Sequence, residues 1–386
     1  MVNICFYFQV HQPFRMKQYS VFDIGHTTEY FDEEKNRAIA QKVAHKCYLP
    51  TNKLMLDLIH RTNKKFKISY SISGVALEQF AKYTPEVLDT FKELYKTGAV
   101  EFIAETYYHS LAYIYSKDEF AKQIDLHQKA LKKYIGVKEK PTTFRNTELI
   151  YNNELAKYVE DLGYKVILAE GADHIMGWRS PNFIHRPVNC SNIKLLLKNF
   201  RLSDDIAFRF SNRGWEEWPL NVQKFCHWVN QYNGSGDTLN LFMDYETFGE
   251  HQWEDTGIFQ FLAELPFEHL KHPDNTFLTP AETAEKFPVR GELDVHNFIS
   301  WADMERDLTA WLGNKIQHNS IQELYAIEDI VKKTKDEELI ESWRRLTTSD
   351  HFYYMCTKWF NDGDVHKYFS PYESPYDAFI AFMNIL

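Results

Sequence analysis

The chain has 386 residues, of which 44% are hydrophobic and 25% charged, a composition that excludes disorder as its dominant state. Lys and Arg number 44 against 54 Asp and Glu, for a net charge of −10. That balance argues against a nucleic-acid binder, which needs a basic surface, and against a polybasic membrane-surface protein.

The first predicted element is a strand. Val2, Ile4, Phe6, Phe8 and Val10 fall on one face, and Asn3, Cys5, Tyr7, Gln9 and His11 on the other. Pro13 cannot donate to a ladder and ends it. No basic residue precedes this apolar run, so it reads as a strand and not as a signal peptide. A helix around Leu54 to Lys64 leads to a strand over 66–74. Thr84 and Pro85 open a helix that stops near Gly98, with Thr84 a candidate cap. Strand follows over 100–106, helix over 117–134, strand over 142–147, helix over 153–162 and strand over 165–169. Further strands are predicted over 193–200 and 238–243.

Strands alternating with helices about seven times indicate a parallel α/β sheet, and seven strands suit a barrel or partial barrel. No GxGxxG or GxxxxGK[ST] loop is present, which removes the nucleotide folds. From about residue 290 the texture changes to helical patterns over 295–333, 336–360 and 375–386. The domain reading is therefore 1–290 as the barrel and 291–386 as a helical domain that packs on it and contributes to the substrate cleft. No segment reaches the roughly 18 uncharged apolar residues of a membrane helix. The cysteines Cys5, Cys47, Cys190, Cys226 and Cys356 are scattered, with no CxxC pair, so a reducing cytoplasm without disulfides is expected.

In parallel barrels, chemistry gathers where strands end at their C-terminal side. The predicted ends carry His11, then Glu105 to His109, then Arg145 to Glu148, then Glu170 to Asp173, then Arg201 to Asp205, then Asp244 to His251. Any one such carboxylate or histidine also fits a helix cap or a packed polar side chain. Their joint placement on one rim favours a site. Two carboxylates on different strands, Glu148 and Asp244, form the apparatus of glycoside hydrolysis if one is ionised and the other protonated. The sequence pattern leaves open which is which.

The segments His11-Gln12-Pro13, Phe144 to Glu148 and Met243 to His251 resemble the signature regions of glycoside hydrolase family 57, in its intracellular α-amylase group. Ala169 to Asp173, Gly177 to Pro181, Arg201 to Asp205 and Trp301 to Gly313 share that likeness. The resemblance implies an incomplete (β/α)7 barrel followed by a helical domain, acting on an α-glucan or maltooligosaccharide by a retaining double displacement. It puts the nucleophile on Glu148 and the general acid/base on Asp244, and carries no catalytic metal and no cofactor.

Asp244 then needs a raised pKa, supplied by desolvation or by a nearby negative charge, for which Glu246 is a candidate. His11 and His109 suit hydrogen bonds to sugar hydroxyls, with His251 grouped beside them in substrate binding. Trp178, Trp253 and Trp301 read either as stacking platforms or as core packing, and Arg201 with Asp204 as an orienting or a structural ion pair. The same scaffold accommodates a 4-α-glucanotransferase or a branching enzyme. A metal-dependent carbohydrate deacetylase and a non-catalytic glycan-binding protein are more distant alternatives. The deacetylase lacks support, because no HxxxH or HExxH is present. No partner other than the glucan is implied, and no oligomeric state.

Overall fold

The computed structural model describes residues 2–358, 366 and 370–386. Its strands are β1 (Asn3–Val10), β2 (Ile68–Ile72), β3 (Val100–Phe102), β4 (Thr143–Arg145), β5 (Val166–Glu170), β6 (Ile184–Pro187), β7 (Lys194–Lys198), β8 (Thr238–Asp244), β9 (Thr276–Phe277) and β10 (Val289–Leu293). They form two sheets, in the orders β3-β2-β1-β8, with β9 beside β1, and β10-β6-β7-β5-β4.

Two seams join the sheets into an incomplete (β/α)7 barrel. At one, the backbone of Ala104 bonds both Thr143 and Arg145, which sets β4 beside the chain leaving β3. At the other, β7 and β8 share no ladder. The Asn199 amide donates to the Asn240 carbonyl (2.9 Å), and the Asn240 side chain donates to the Leu197 carbonyl (2.8 Å). The ring therefore runs β8-β1-β2-β3-β4-β5-β7, all parallel, and all seven are strands read from the pattern. Helices between them, among them Leu49–Arg61, Pro85–Lys96, Lys117–Ala130 and Ile258–His269, coat the outside.

The alternation in β1 explains the layering. Ile4, Phe6, Phe8 and Val10 point outward into a large apolar cluster under the helices. Cys5 and Tyr7 point inward and meet Ile103, Val166, Leu168, Leu196 and Phe242 in the barrel interior. Above that apolar plug the inward positions turn polar, from Gln9 on β1 to Asp244 on β8, which are paired across the ladder. This is the usual division of a parallel barrel: a packed interior and a polar upper rim. All five cysteines are buried and free.

Three strands were not read from the pattern: β9 has two residues, β6 is four residues that include His185, Arg186 and Pro187, and β10 has no apolar run, with Arg290 and Glu292 exposed. β10 also crosses residue 290, the expected boundary. The expected helix over 295–333 begins only at Thr309. The stretch before it is irregular because Ile299 pairs with Tyr151 in a bridge and Asp303 and Arg306 take positive φ. Helices Lys315–Ala326, Glu328–Thr334, Glu337–Leu346, Ser349–Tyr353 and Pro375–Ile385 follow, around a core that includes Trp311, Leu324, Trp343 and Phe382. The expected helical stretch over 336–360 ends in residues that lie outside the described ones. Among the described residues no helix is long and apolar enough to cross a membrane.

Asn240 is fully buried and also accepts from Thr238 Oγ1 (3.0 Å). Asn240→Ala leaves the Leu197 carbonyl and the Thr238 hydroxyl without that partner and is expected to cost about 1–3 kcal/mol. Urea unfolding of the two proteins measures the difference.

Candidate active site

β4 ends at Arg145, and the chain then turns sharply through Asn146 to Ile150. Glu148 and Leu149 both lie in the left-handed region, at φ 56° and 52°, a conformation that costs a non-glycine residue of order 1–3 kcal/mol. Surrounding bonds hold it. The Leu149 amide donates to the Asn146 carbonyl (3.0 Å), the Ile150 amide to the Thr147 carbonyl (2.9 Å) and the Asn146 side chain to the Ile150 carbonyl (3.1 Å). The Trp301 amide donates to the Glu148 carbonyl (3.2 Å), and Leu149 is packed into the barrel interior. The turn lifts the Glu148 carboxylate to the mouth, where its side chain keeps 22% exposure.

Two donors hold that carboxylate. His109 Nε2 donates to Oε1 at 2.8 Å and Trp301 Nε1 donates to Oε2 at 2.7 Å. His109 is itself in the left-handed region (φ 52°), and its Nδ1 donates to Glu105 Oε2 at 3.1 Å. Donating from both ring nitrogens makes it an imidazolium. Burial opposes that charge, but the Glu105 and Glu148 carboxylates outweigh it and raise the His109 pKa to about 9. Burial likewise pushes Glu148 up, yet the bonds from His109 and Trp301 and the charges of His109 and Arg145 bring it below the ordinary glutamate range.

Asp244, the last residue of β8, is affected in the opposite direction. Burial and then the negative charge of Glu148 push its pKa up to about 6. Of the two expected sources, burial leads, and the nearby charge is that of Glu148 and not of Glu246. Burial and Asp244 raise Glu246 to about 8, so it is itself neutral at the pH where Asp244 titrates, and the Tyr48 hydroxyl donates to it. Below about pH 6 one carboxyl is thus ionised and the other protonated, the pairing required for acid/base-assisted displacement at carbon.

His11 stacks on His109 with ring centroids 4.1 Å apart. Its Nε2 lies 2.9 Å from Asp350 Oδ2, and its Nδ1 lies 2.7 Å from Ser73 Oγ. Burial and the adjacent His109 charge lower its pKa, so it is the neutral member of the stack. Beneath them Arg145 is fully buried, 4.0 Å from Glu105, with its guanidinium over the Trp301 ring (5.1 Å) and near Tyr7 (5.9 Å).

The remaining predicted residues sort into two groups. Asp204 belongs to a buried ion network: Lys198 Nζ lies 3.0 Å from its Oδ1 and 3.7 Å from Glu170, and Arg306 lies 3.5 Å from both acids. Arg306 also donates to the Trp301 carbonyl, so this network fixes the segment that carries Trp301. His251 lies in the turn after Glu246, its amide bonded to the Glu246 carbonyl (2.9 Å), and burial pulls its pKa down to about 4.

Trp178, Arg201 and Trp253 lie at the surface. Trp178 is 87% exposed and Trp253 57%, so neither is core packing. Arg201 pairs with Asp173 (3.3 Å) at the surface and not with Asp204, whose carboxylate Lys198 and Arg306 already occupy. Glu105 and Arg145 were placed on the predicted rim without a role, and Arg306 lies in the resembling segment Trp301 to Gly313. Lys198 and Asp350 were not singled out: Lys198 lies inside a predicted strand that was read for its end only, and no pattern marked Asp350 in the C-terminal region. Among the described residues, no group of three His, Cys, Asp or Glu is placed to hold a metal ion.

Known proteins resemble this chain in sequence and in fold. The family model "Glycosyl hydrolase family 57" matches residues 5–296. A protein of Methanocaldococcus jannaschii named "Putative alpha-amylase" is 46% identical over 396 residues, covering 99% of this chain and 83% of the relative. Among solved structures, a 4-alpha-glucanotransferase from Thermococcus litoralis superposes with a TM-score of 0.67 at 15% identity, covering 91% of this chain. This chain spans 56% of the length of that glucanotransferase. A branching enzyme from Thermococcus kodakaraensis gives a TM-score of 0.66 at 15% identity, over 92% of this chain and 86% of its own. The alpha-amylase AmyC from Thermotoga maritima gives 0.63 at 12% identity, over 99% and 91%.

Glu148→Gln removes the negative charge facing Asp244. The Asp244 pKa is expected to fall from about 6 towards the ordinary aspartate range, a shift read by carbon-13 NMR of the labelled side-chain carboxyl.

Proposed function

This chain belongs to glycoside hydrolase family 57, and from that premise we propose that it is a retaining α-amylase that cleaves α-1,4-glucosidic bonds of starch- or glycogen-type glucans and maltooligosaccharides. The observation that carries the reading is the opposed protonation of two carboxyls on one rim. Glu148 is drawn down by two donors, and Asp244 is raised to about 6.

In the first step the Glu148 carboxylate attacks the anomeric carbon while Asp244 gives its proton to the glycosidic oxygen. The C–O bond to the leaving chain breaks and a glycosyl ester forms on Glu148. Asp244, now a carboxylate, takes a proton from water as the water oxygen attacks the same carbon. The ester breaks, configuration is retained overall, and both residues return to their starting states.

His109 serves as positioning residue, holding the attacking oxygen pair from one side while Trp301 holds it from the other. Both donors compensate the negative charge that returns to Glu148 when the ester is cleaved. The helical segment over 291–386 contributes to the cleft in this reading, since Trp301 and Asp350 come from it.

Transfer to a sugar hydroxyl in place of water gives the second reading, a 4-α-glucanotransferase or branching enzyme. It draws on the structural likeness to enzymes with those names. Incubation with amylose and maltoheptaose separates the two. New reducing ends and short products support the amylase, whereas longer oligosaccharides without new reducing ends support the transferase. Glu148→Gln and Asp244→Asn are each expected to lower kcat by at least a thousandfold. Full activity in either variant removes the two-carboxylate mechanism.

The pH dependence follows from the two shifts. Activity needs Glu148 ionised, and its depressed pKa sets the acid limb below the ordinary glutamate range. It also needs Asp244 protonated, so kcat/KM falls as pH rises through about 6. In Trp301→Phe the carboxylate loses one donor, and the acid limb of kcat/KM is expected to move upward.

A further inference from the structure

The loop after β8 continues from Asp244 through Gly249 to Trp253, and at its far end it forms one wall of a groove of about 880 Å³. The groove runs past the start of helix Leu49–Arg61 to the start of helix Ile258–His269, and His45, Lys46, Pro50, Trp253, Phe259 and Gln260 line it. None of Glu148, Asp244, His11, His109 and Trp301 is among its lining residues. Trp253 presents its indole there with 57% exposure, which is large for a tryptophan whose Nε1 already donates to the Glu250 carbonyl (3.0 Å). Lys46 Nζ sits 5.0 Å from the ring centroid.

The walls are rigid. Glu250 accepts an ion pair from Lys42 and lies 3.8 Å from Lys46. Gly249 adopts φ 109°, and a Cβ there would stand 2.0 Å from the Lys46 carbonyl oxygen, so the loop and the helical segment meet backbone to backbone. A groove fixed in this way loses little freedom when filled.

Its chemistry selects the occupant. Lys46 and His45 are balanced by Glu254 and Asp255, so no single sign of charge invites a phosphate or a nucleic acid. What remains is a flat aromatic face between hydrogen-bonding side chains. A pyranose ring is complementary to it, apolar across its C–H face and polar around its edge. We propose that this groove is a second, non-catalytic binding site for an α-glucan chain, with Trp253 as the stacking platform and Lys46, His45 and Gln260 bonding the hydroxyls. It rests on the reading that the enzyme acts on α-glucans. Holding a distant stretch of a long chain here raises the effective concentration of other stretches at the rim, with no change in the cleft itself.

The test uses the full chain and the variants Trp253→Ala, Trp253→Phe and Glu148→Gln, each checked for a folded far-UV spectrum. Migration through native gels containing amylopectin reports glucan affinity, and kcat/KM is measured on amylose and on maltotriose. Trp253→Ala is expected to weaken retention by about tenfold and to lower kcat/KM on amylose, leaving maltotriose turnover unchanged. Trp253→Phe, which keeps a ring, is expected to restore most of the retention. Unchanged retention in Trp253→Ala overturns the proposal. An equal loss of kcat/KM on amylose and maltotriose also overturns it, because it assigns Trp253 to the catalytic cleft. Retention that depends on Trp253 in a wild-type protein that leaves amylose intact keeps the groove and rejects the hydrolase reading instead.

Discussion

A single carboxylate held from two sides organises this molecule. Glu148 receives His109 from the loop after β3 and Trp301 from the segment after β10, and neither donor is a near neighbour in sequence. The strained turn after β4 makes sense only with both in place. Two successive left-handed residues cost free energy that the local chain does not recover, and the buried packing of Leu149 together with the Trp301 backbone bond offsets it. Strain at that point places the carboxylate above the barrel instead of inside it.

The electrostatics around that carboxylate form a graded series. His109 carries a proton shared between two acids, Glu148 stays ionised, and Asp244 responds to the resulting negative charge by holding its own proton more tightly. Arg145 provides fixed positive charge below them, stacked with Trp301, so that this ring is packed on its face and bonded at its edge. The Lys198–Glu170–Arg306–Asp204 network repeats that arrangement on the far side, where it anchors the Trp301 segment. Isolated buried ion pairs contribute little to stability. Here their role is to set direction and protonation, and the barrel core provides the stability.

Much of this was legible in the chain. The seven barrel strands carry period-two alternation or compact apolar runs bounded by turns, and their ends named Glu148, Asp244, His109 and His11. β6, β9 and β10 were not legible because none carries an apolar run: β9 is two residues, β6 is interrupted by His185 and Arg186, and β10 by Arg290 and Glu292. The irregular stretch at 295–308 read as helical, but its bonds to Glu148 and Tyr151 and the positive φ of Asp303 and Arg306 are incompatible with a continuous helix. Burial was foreseeable as a source of the Asp244 shift, but the neighbouring charge was not: proximity in sequence pointed to Glu246, whereas the charge that acts is that of Glu148, and Glu246 is neutralised by its own burial. Arg201 and Asp204 share a helix, Phe200–Ala207, yet Asp204 turns to the buried cations and Arg201 to the surface.

The order in which the chain leaves the ribosome gives the Trp301 bond a further meaning. Trp301 follows Glu148 by 153 positions, and Asp350 follows His11 by 339. All seven barrel strands are therefore synthesised before either late residue arrives. During that interval the nascent barrel has its two carboxyls but lacks one of the donors that hold the first of them and the acid that faces His11. Assembly of the helical segment is consequently the event that completes the site. A polypeptide interrupted before residue 301 would leave a rim whose key carboxylate keeps the His109 bond but lacks the one from Trp301, so completion of the site waits on the segment that follows the barrel.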